Sequence, residues 1–339
     1  MANIKDIARL SGVAPSTVSA VLTGRTERVK ASTRERIVEV MRELRYVPSP
    51  LFYGSHVQAV ITVGVVFFAS YEADDEELDP YYLAILEGIL AVGIRRGCNI
   101  ISMPTRSWEN CARTLRVYVD GRCDGLLLLN PSGTEEIVGA LQERNYPFVV
   151  VNAEKESKTA NNVGVDIARG ANMAMEHLFD LGHRRIAFIA GNGIPGQRVH
   201  TYVTALKGRG IPVNDRLMPR GDYIAESGRE RTLMLMNDPT TRPTAIFCET
   251  DHLAAGALQA LRELRIDVPG QVSVVGFDDI PLASTTVPTL TTVRRPLLEI
   301  GREASKLLLK HVNDASAPTE NLKLPVELIV RGTTGPVPV

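Results

Sequence analysis

The sequence predicts an α/β core of two Rossmann-like subdomains that follows a small all-α N-terminal domain. The chain has 339 residues, more than the about 100–200 residues of one ordinary domain. Its first 46 residues carry only helical periodicity, whereas apolar strands alternate with amphipathic helices in two series from about residue 60 onward. This alternation is typical of parallel sheets covered by helices.

The composition excludes disordered, fibrous and coiled-coil classes. Hydrophobic residues make up 44% and charged residues 23% of the chain, close to the globular averages of about 45–50% and about 25%. No apolar run approaches the roughly 20 residues of a bilayer span, and charges interrupt the N-terminal stretch MANIKDIARL. We therefore expect a cytoplasmic protein without a membrane partner.

Cysteine and histidine spacing indicates neither a metal site nor a catalytic centre. The chain contains no HExxH zinc motif and no GxSxG nucleophile motif. The cysteines form neither a CxxC pair nor a dense disulfide framework: Cys98, Cys111, Cys123 and Cys248. We expect reduced thiols, no metal, no cofactor and no catalytic residue.

Charge is distributed unevenly along the chain. Residues 1–46 contain nine Lys or Arg and five Asp or Glu, a net charge of +4, although the whole chain carries −1. Such asymmetry favours a domain that binds a polyanion, joined to a neutral or acidic body. A solvated helical face explains a charge of this size equally well, so the interpretation needs a motif.

Three short helices are predicted within residues 1–46. The first covers residues 4–11, and the second begins at Pro15 and ends at Gly24. The third begins near Ser32, which forms a capping-box pattern with Glu35. Their apolar residues have helical spacing and should form one core: Ile4, Ile7, Ala8, Leu10, Val18, Val21, Leu22, Ile37, Val40, Met41 and Leu44.

Two helices joined by a tight glycine-containing turn are typical of a helix-turn-helix, whose second helix lies in the DNA major groove. The outer side of this second helix would present small polar groups to base edges and phosphates: Pro15, Ser16, Thr17, Ser19 and Ala20. Nearby cations would contact phosphates: Lys5, Arg25, Arg28, Lys30 and Arg34. An ordinary three-helix bundle has the same spacing, and spacing alone does not separate the two interpretations.

The remaining chain alternates between strands and helices. One series contains VITVGVVF, NIISM, GLLLLN and FVVVN, and the next contains RIAFIAG, TAIFCET and VSVVGFD. We expect two subdomains, with chain crossings near residues 161–166, near residues 291–293 and near Leu322. The predicted domains are a head (1–46), a hinge (47–58), a first core subdomain (59–165 with 294–321) and a second (166–293 with 322–339).

Ligands in open α/β sheets lie beyond the carboxyl ends of the strands. The residues that close these strands or open the following helices form a polar set: Tyr81, Tyr82, Asn152, Arg198, Thr250, Asp251 and Asp278. Carboxylate, amide and guanidinium groups bind polyhydroxylated ligands through paired hydrogen bonds, and a tyrosine can stack on a sugar face. Capping of the following helix explains Asp251 equally well.

At this point the sequence resembles a known family. IKDIARLSGVAPSTVSAVLTG and VKASTRERIVEVMRELRYVPS are similar to the DNA-binding module of the LacI/GalR family of bacterial transcription regulators. NVGVDIARGANMAMEHLFDLGHRRIAFIAG, RVHTYVTAL, VSVVGFDDIPLASTTVPTLTTVRRP and VELIVRGTT resemble the effector-binding core of that family, which is periplasmic-binding-protein-like. The resemblance covers essentially the whole chain.

The resemblance implies a hinge that inserts a leucine into the minor groove, and the chain departs from this pattern. Ser55 stands where the leucine is expected, so either Leu51 or Phe52 takes that role or the hinge does not intercalate. The resemblance also implies effector contacts for Asn152, Arg198, Thr250 and Asp278. Thr250 stands where asparagine is common, and Asn152 where aspartate is common, which affects the identity of the effector.

Two other classes of protein remain as alternatives. Residues 191–196 (GNGIPG) match the GxGxxG pattern of nicotinamide-dependent oxidoreductases. However, residues 209–222 look loop-like, without the strand and terminal acid of that fingerprint, and Pro195 removes a phosphate-binding amide. A sugar-binding protein without a regulatory role would share the core, but not the cationic head.

The combined prediction is a repressor rather than an enzyme. It would bind a palindromic operator in double-stranded DNA as a homodimer, because one recognition helix reads only a few base pairs. A small sugar-like effector in the cleft would shift the population of conformations and thereby the affinity for DNA.

Overall fold

The computed structural model describes residues 3–22, 26, 29–44, 46, 60–68, 78–105, 119, 121–130, 135–153, 159–192, 195–240 and 242–338. The chain divides into two compact units, Met1–Ile61 and Thr62–Val339. None of the helices within these ranges is both long and apolar enough to span a bilayer.

The described residues of the N-terminal unit form three helices: α1 (Ile4–Ser11), α2 (Pro15–Leu22) and α3 (Ala31–Glu43). A capping box stabilises the start of α1, where the Asn3 side chain accepts from the Asp6 amide and the Asp6 carboxylate accepts from the Asn3 amide. Gly12 ends α1 in a left-handed conformation with φ of 65°. The predicted position of the capping box is wrong, because α3 begins at Ala31 and Ser32 lies inside its first turn.

The helices of this unit share one apolar core, as predicted. Its buried members come from all three helices: Ile7, Ala8, Val18, Leu22, Ile37 and Val40. The prediction is wrong for Leu10, whose side chain is 43% exposed. Ser11 is buried in its place, because at about 3.6 residues per turn it falls between Ile7 and Ala8 on the inner face.

The first core subdomain is built on a six-stranded parallel sheet in the order β11-β5-β4-β3-β1-β2. Its strands are β1 (Thr62–Phe68), β2 (Asn99–Thr105), β3 (Gly125–Leu129), β4 (Phe148–Val151), β5 (Asn161–Val165) and β11 (Asn321–Leu324). Its helices within the described ranges are α4 (Pro80–Arg96), α5 (Glu135–Gln142) and α11 (Leu297–Asn313). Strands β3 and β4 are buried along their whole length, as expected for parallel strands with both faces covered.

The second core subdomain has a six-stranded sheet in the order β12-β10-β9-β8-β6-β7. Its strands are β6 (Ile186–Gly191), β7 (Arg220–Gly221), β8 (Ala245–Cys248), β9 (Ser273–Asp278), β10 (Thr291–Arg294) and β12 (Glu327–Ile329), and only β12 is antiparallel to its neighbour. Its helices are α6 (Ile167–Asp180), α7 (Gln197–Gly208), α8 (Ala225–Asn237), α9 (Asp251–Glu263) and α10 (Leu282–Thr285).

Three segments connect the two subdomains. The chain crosses at Asp166 between β5 and α6, and at Arg295 and Pro296 between β10 and α11. The third crossing follows Leu324, three residues later than the predicted boundary, because β11 pairs with β5 in the first sheet. This strand is half exposed at the edge of the sheet and has no apolar run that would mark it in the sequence.

One pair of closely packed helices in each subdomain depends on glycine. A Cβ atom at Gly88 of α4 would lie 2.0 Å from the Leu298 carbonyl oxygen of α11, and one at Gly301 would lie 2.1 Å from the Ile85 carbonyl oxygen. In the second subdomain, Gly256 of α9 meets α8 in the same way, with 1.8 Å to the Ala225 carbonyl oxygen. These distances leave no space for a methyl group between the two backbones.

We expect Gly301→Ala to lower the free energy of unfolding by about 1–3 kcal/mol, because the new Cβ atom forces α4 and α11 apart. Gly139→Ala is the matched control, since Gly139 lies in helix α5 with no atom within 4 Å of the Cβ position. It should raise stability by about 0.5–1 kcal/mol through helix propensity. Urea unfolding of both variants measures the difference, and equal effects would contradict the close approach.

Candidate functional site

The second helix of the N-terminal unit presents small polar residues at its surface. Pro15 and Ser16 are exposed, and Thr17, Ser19 and Ala20 are partly exposed. The cationic residues Lys5, Lys30 and Arg34 are also exposed. The other predicted DNA-contacting residues lie outside the described part of the chain: Arg25, Arg28, Leu51, Phe52 and Ser55.

The second candidate site lies where the strands of both core sheets end. Asn130 follows β3 and Asn152 follows β4 in the first subdomain, while Glu249 follows β8 and Asp278 ends β9 in the second. Three of these residues have positive backbone φ angles, 45° at Asn130, 56° at Asn152 and 114° at Asp278. Asn and Asp tolerate this region better than most side chains, so the chain can turn sharply there and still carry a polar group.

Tyr81, in the first turn of α4, is the centre of the polar contacts in the first subdomain. Its hydroxyl donates to Asn130 Oδ1 at 2.9 Å and accepts from Asn152 Nδ2 at 2.8 Å. Its backbone amide donates to Asp79 Oδ1 at 2.8 Å. Burial raises the pKa of the Tyr81 phenol, and the nearby Arg295 guanidinium opposes this shift. The phenol therefore stays protonated and available as a donor at neutral pH.

Asp278 is the buried carboxylate on the second subdomain's side. Arg295 Nη1 donates to Asp278 Oδ1 at 3.0 Å, and both side chains are less than 10% exposed. Burial raises the pKa of the Asp278 carboxyl, while the positive charges of Arg295 and Arg198 lower it. The Arg295 guanidinium also lies over the Tyr81 ring, 5.0 Å from its centroid. Arg295 thus contacts both subdomains.

Arg198, at the start of α7, is paired with Glu249. Its Nε atom lies 3.3 Å from Glu249 Oε1, and its Nη1 atom donates to the Glu249 carbonyl oxygen at 3.0 Å. Its guanidinium also lies over the Phe277 ring, at 5.2 Å. Arg198 and Glu249 are both buried, so their opposite charges satisfy each other out of water.

The turn after β9 is held in place by neighbouring arginines. Asp279, like Asp278, has a positive φ angle, 56°. Its carboxylate accepts from Arg294 Nε at 2.7 Å and is paired with Arg331 Nη2 at 2.7 Å. Two consecutive residues in this sparsely populated backbone region persist only when the surroundings hold them. Arg294 and Arg331 therefore stabilise the conformation of Asp279 in this turn.

The structure brings together four of the seven predicted effector residues, Tyr81, Asn152, Arg198 and Asp278, but uses the others differently. Thr250 is the N-cap of α9, where its side chain accepts from the Leu253 amide. Asp251 is fully buried, and its oxygens accept from the Ile280 amide at 2.9 Å and the Thr292 hydroxyl at 2.6 Å. Burial raises the pKa of Asp251 well above its usual value, and the negative charge of Asp278 adds to this shift.

The N-cap of α9 is therefore Thr250 rather than Asp251, and Asp251 stabilises the interior of the second subdomain through its buried hydrogen bonds.

Tyr82 is partly exposed beside this site. Its ring makes an edge contact with Tyr81 at 5.2 Å between centroids and a tilted contact with Phe67 at 5.7 Å. Its phenol also interacts with the Asn130 side chain at the end of β3.

Sequence reasoning missed three residues of this site: Asn130, Glu249 and Arg295. Asn130 follows GLLLL just as Asn152 follows FVVV, and Glu249 directly follows the strand AIFC. The rule that ligands lie beyond strand ends would have found both. Arg295 stands between another arginine and a proline, and nothing in its sequence surroundings marks it.

The loop of residues 191–196 has another use in the structure. The Gly191 amide donates to Glu249 Oε2 at 2.7 Å, so the first glycine of the pattern is hydrogen-bonded to a buried carboxylate at the end of the neighbouring strand. The segment predicted as loop contains β7, a strand of two residues beside β6. Asp222 follows it and accepts from the Asn192 side chain at 2.9 Å. Residues 193 and 194 lie outside the described ranges.

Metal-ligating side chains are not clustered within the described ranges, where no group of three or more His, Cys, Asp or Glu residues could hold an ion. Cys98, Cys123 and Cys248 are free thiols, and the last two are buried. Cys111 lies outside the described residues.

Two family models match the chain. Residues 3–49 match the model of bacterial regulatory proteins, lacI family, and residues 175–334 match a periplasmic binding protein-like domain. The first match contains all three helices of the N-terminal unit. The second spans most of the second core subdomain and part of the first.

Curated relatives are similar over nearly the whole chain. The HTH-type transcriptional repressor CytR of Escherichia coli strain K12 is 31% identical over 342 residues, covering 99% of this chain and 97% of the relative. Catabolite control protein A of Priestia megaterium is 30% identical over 336 residues, covering 98% of each chain.

Two solved structures are also similar over nearly the whole chain. A complex of the transcriptional regulator CelR with cellobiose has a TM-score of 0.72 at 28% identity, covering 98% of this chain and all of the other. A lac repressor dimer bound to operator and the anti-inducer ONPF has a TM-score of 0.74 at 25% identity, with 98% and 99% coverage.

Proposed function

This chain belongs to the LacI family of bacterial regulatory proteins, which are DNA-binding transcriptional repressors, and we propose that it binds a palindromic operator as a homodimer. We further propose that a small sugar-like molecule in the inter-subdomain cleft controls its affinity for the operator. Because its target is chromosomal DNA, the protein acts in the cytoplasm, as a regulator rather than as an enzyme.

The surface of α2 supports the proposed reading of operator sequence. Ser16 is exposed in the first turn of this helix, with Thr17, Ser19 and Ala20 partly exposed beside it. Hydroxyl groups bind base edges or phosphates, and the Ala20 methyl group can contact a thymine methyl group. The exposed Lys30 and Arg34 suit phosphate contacts, which add affinity without sequence preference.

The polar contacts between the subdomains carry the proposal of an effector site. Asn152 Oδ1 and Arg295 Nε are buried and have no hydrogen-bond partner among the described residues. Both belong to side chains that contact Tyr81. One is an acceptor and the other a donor, and a hydroxyl group of a sugar can satisfy both kinds of atom. The cellobiose bound to the similar regulator CelR is a ligand of this chemical class.

The exposed face of α4 supports the proposal of a homodimer. Leu83, Leu90 and Ile94 are 49%, 47% and 82% exposed, and their spacing of seven and four residues places them on one side of the helix. Such a stripe is unfavourable in water and suits an identical stripe on a second copy around a two-fold axis. The similar lac repressor structure is a dimer bound to operator.

The two alternatives are less well supported. A nicotinamide-dependent oxidoreductase would need backbone amides near the start of the following helix for its cofactor phosphates, and Pro195 has no amide to donate there. A sugar-binding protein without a regulatory role would have no use for the N-terminal unit, which matches the lacI model.

Operator selection from random duplexes tests the proposed DNA binding. We expect enrichment of a palindrome, and Arg34→Gln should weaken binding to all duplexes while lowering the salt slope by about one. Ser16→Ala should instead change the preferred bases, at about 1–3 kcal/mol per altered base pair. Fluorescence anisotropy over a salt series measures both effects. A uniform loss with Ser16→Ala would refute its role as a base reader, and absence of any enriched palindrome would refute the proposal.

Thermal shift with a panel of mono- and disaccharides that includes cellobiose tests the effector site. We expect at least one sugar to raise the melting temperature and to change operator affinity. Asp278→Asn should abolish both responses, because the amide no longer matches the charge of Arg295. Asp267→Asn is the matched control, since this exposed carboxylate precedes β9 and so lies at the opposite end of that strand from Asp278. If Asp278→Asn still shows the shift in melting temperature and the change in operator affinity, the effector binds at another site.

Ile94→Glu tests the proposed dimer surface. A carboxylate facing its copy across the two-fold axis should raise the dimer dissociation constant about 30-fold or more, equivalent to a loss of at least about 2 kcal/mol. Val330→Glu is the control, because Val330 is 57% exposed but lies beyond β12, away from α4. Light scattering after gel filtration over a dilution series gives the constant, and an unchanged value for Ile94→Glu would exclude α4 from the interface.

A further inference from the structure

Arg295 lies at the second crossing between the subdomains. It directly follows β10, which belongs to the second sheet, and is followed by Pro296 and by α11, which packs against the first sheet. Its side chain is nevertheless buried, with 6% of the residue exposed. A buried guanidinium group needs ionic or hydrogen-bond partners. The partners of Arg295 therefore show which parts of the protein it connects.

One partner of Arg295 belongs to the second subdomain. The Arg295 side chain donates to Asp278 Oδ1 at 3.0 Å, and its backbone amide donates to the Asp278 carbonyl oxygen at 3.2 Å. A charged hydrogen bond between two buried groups is strong, and removal of either partner leaves an unpaired buried charge. Arg295 therefore stays attached to the end of β9.

The other partner belongs to the first subdomain. The Arg295 guanidinium lies over the Tyr81 ring at 5.0 Å, a favourable cation–π distance. Tyr81 cannot follow Arg295 easily, because Asn130, Asn152 and Asp79 hold its hydroxyl and its backbone amide. The ring is thus anchored to the first sheet and to α4. Separation of the subdomains would break the contact between Arg295 and Tyr81.

We infer that Arg295 is a positioning residue that connects the two subdomains across the cleft through Asp278 and Tyr81. In this arrangement the protein's own guanidinium group bridges the strand ends that an effector would bridge. The inference deepens the proposed function, since it treats the same cleft as the regulatory site. An effector that binds Asp278 or Tyr81 acts on a connection that is already present.

A second contact across the same opening differs in kind. His252 Nε2, on α9 of the second subdomain, lies 3.3 Å from Asp79 Oδ1 of the first, and these side chains are 28% and 41% exposed. Exposed pairs of this kind contribute little because water competes for both groups. Of these two contacts, the one made by Arg295 is buried. Its loss should therefore weaken the connection between the subdomains more than loss of the contact between His252 and Asp79.

Arg294 is a matched control for Arg295. It precedes Arg295 on the same segment and carries the same guanidinium group, but both of its ion pairs, with Asp279 and Glu327, lie within the second subdomain. Its side chain is 48% exposed. Arg294→Met thus removes an arginine from the crossing segment without removing a contact between the subdomains.

Hydrogen–deuterium exchange of the full-length protein, without DNA or sugar, tests the inference. In Arg295→Met, we expect severalfold faster exchange in peptides covering residues 78–90 and 125–130 of the first subdomain and 273–282 of the second. Exchange in Arg294→Met should stay at the wild-type rate in the first two peptides. Tyr81→Leu should resemble Arg295→Met in residues 78–90, and the double variant should add nothing further there.

Arg295→Lys separates the two contacts and serves if Arg295→Met does not fold. The lysine retains a charge for Asp278 but lacks the planar group that lies over Tyr81. Faster exchange in residues 78–90 with a wild-type rate in 273–282 supports the connection. Wild-type exchange in residues 78–90 of this variant, or a change confined to 273–282 in Arg295→Met, overturns it in favour of an ion pair within one subdomain.

Measurement of operator binding by the same samples distinguishes failure of the proposed function from failure of the Arg295 connection. If the wild-type protein selects no palindrome but Arg295→Met opens the cleft, the proposed function fails and the connection stands. If the wild-type protein binds an operator and exchange near Tyr81 is unaffected by Arg295→Met, the connection fails and the proposed function stands.

Discussion

The need to pair buried charge is the constraint on which the cleft depends. Asp278 and Glu249 stand at the ends of neighbouring buried strands, where an unpaired carboxylate would be costly. Their partners come from outside the second sheet, since Arg295 belongs to a crossing segment and Arg198 to α7. The pairs therefore hold these two elements in place, and they also surround the space that a ligand would enter.

Strand ends serve both the fold and the chemistry in this protein. Asn130, Asn152 and Asp278 each adopt a left-handed backbone conformation as the chain leaves a parallel sheet. Glycine would adopt it with less strain but would supply no polar group. Because Asn and Asp accept the conformation and carry hydrogen-bonding side chains, one residue makes the turn and also supplies a polar group at the strand end.

Local sequence patterns predicted most of the fold. Helical spacing around Ile7, Val18 and Ile37 indicated a shared core, and continuous apolar runs such as GLLLL indicated buried parallel strands, because both patterns reflect burial of neighbouring residues. The patterns failed where burial is incomplete. Strands β7 and β11 are short edge strands, and their pairing with β6 and β5 comes from distant parts of the chain. Ser32 resembled a cap, but the start of α3 one residue earlier placed it inside the helix.

The candidate site, like the fold, was predicted from the sequence in some parts and not in others. The sequence by itself determined which strands end in polar groups, and hence the region that contains Tyr81, Asn152, Arg198 and Asp278, because strand ends in parallel sheets can be located from apolar periodicity. Only the tertiary structure decided that Thr250 caps α9, that Asp251 is locked inside the second subdomain, and that Arg295 lies between Asp278 and Tyr81. The roles of Asp251 and Arg295 depend on contacts between residues that are 17 to 214 positions apart, and local sequence carries no information about distances in space.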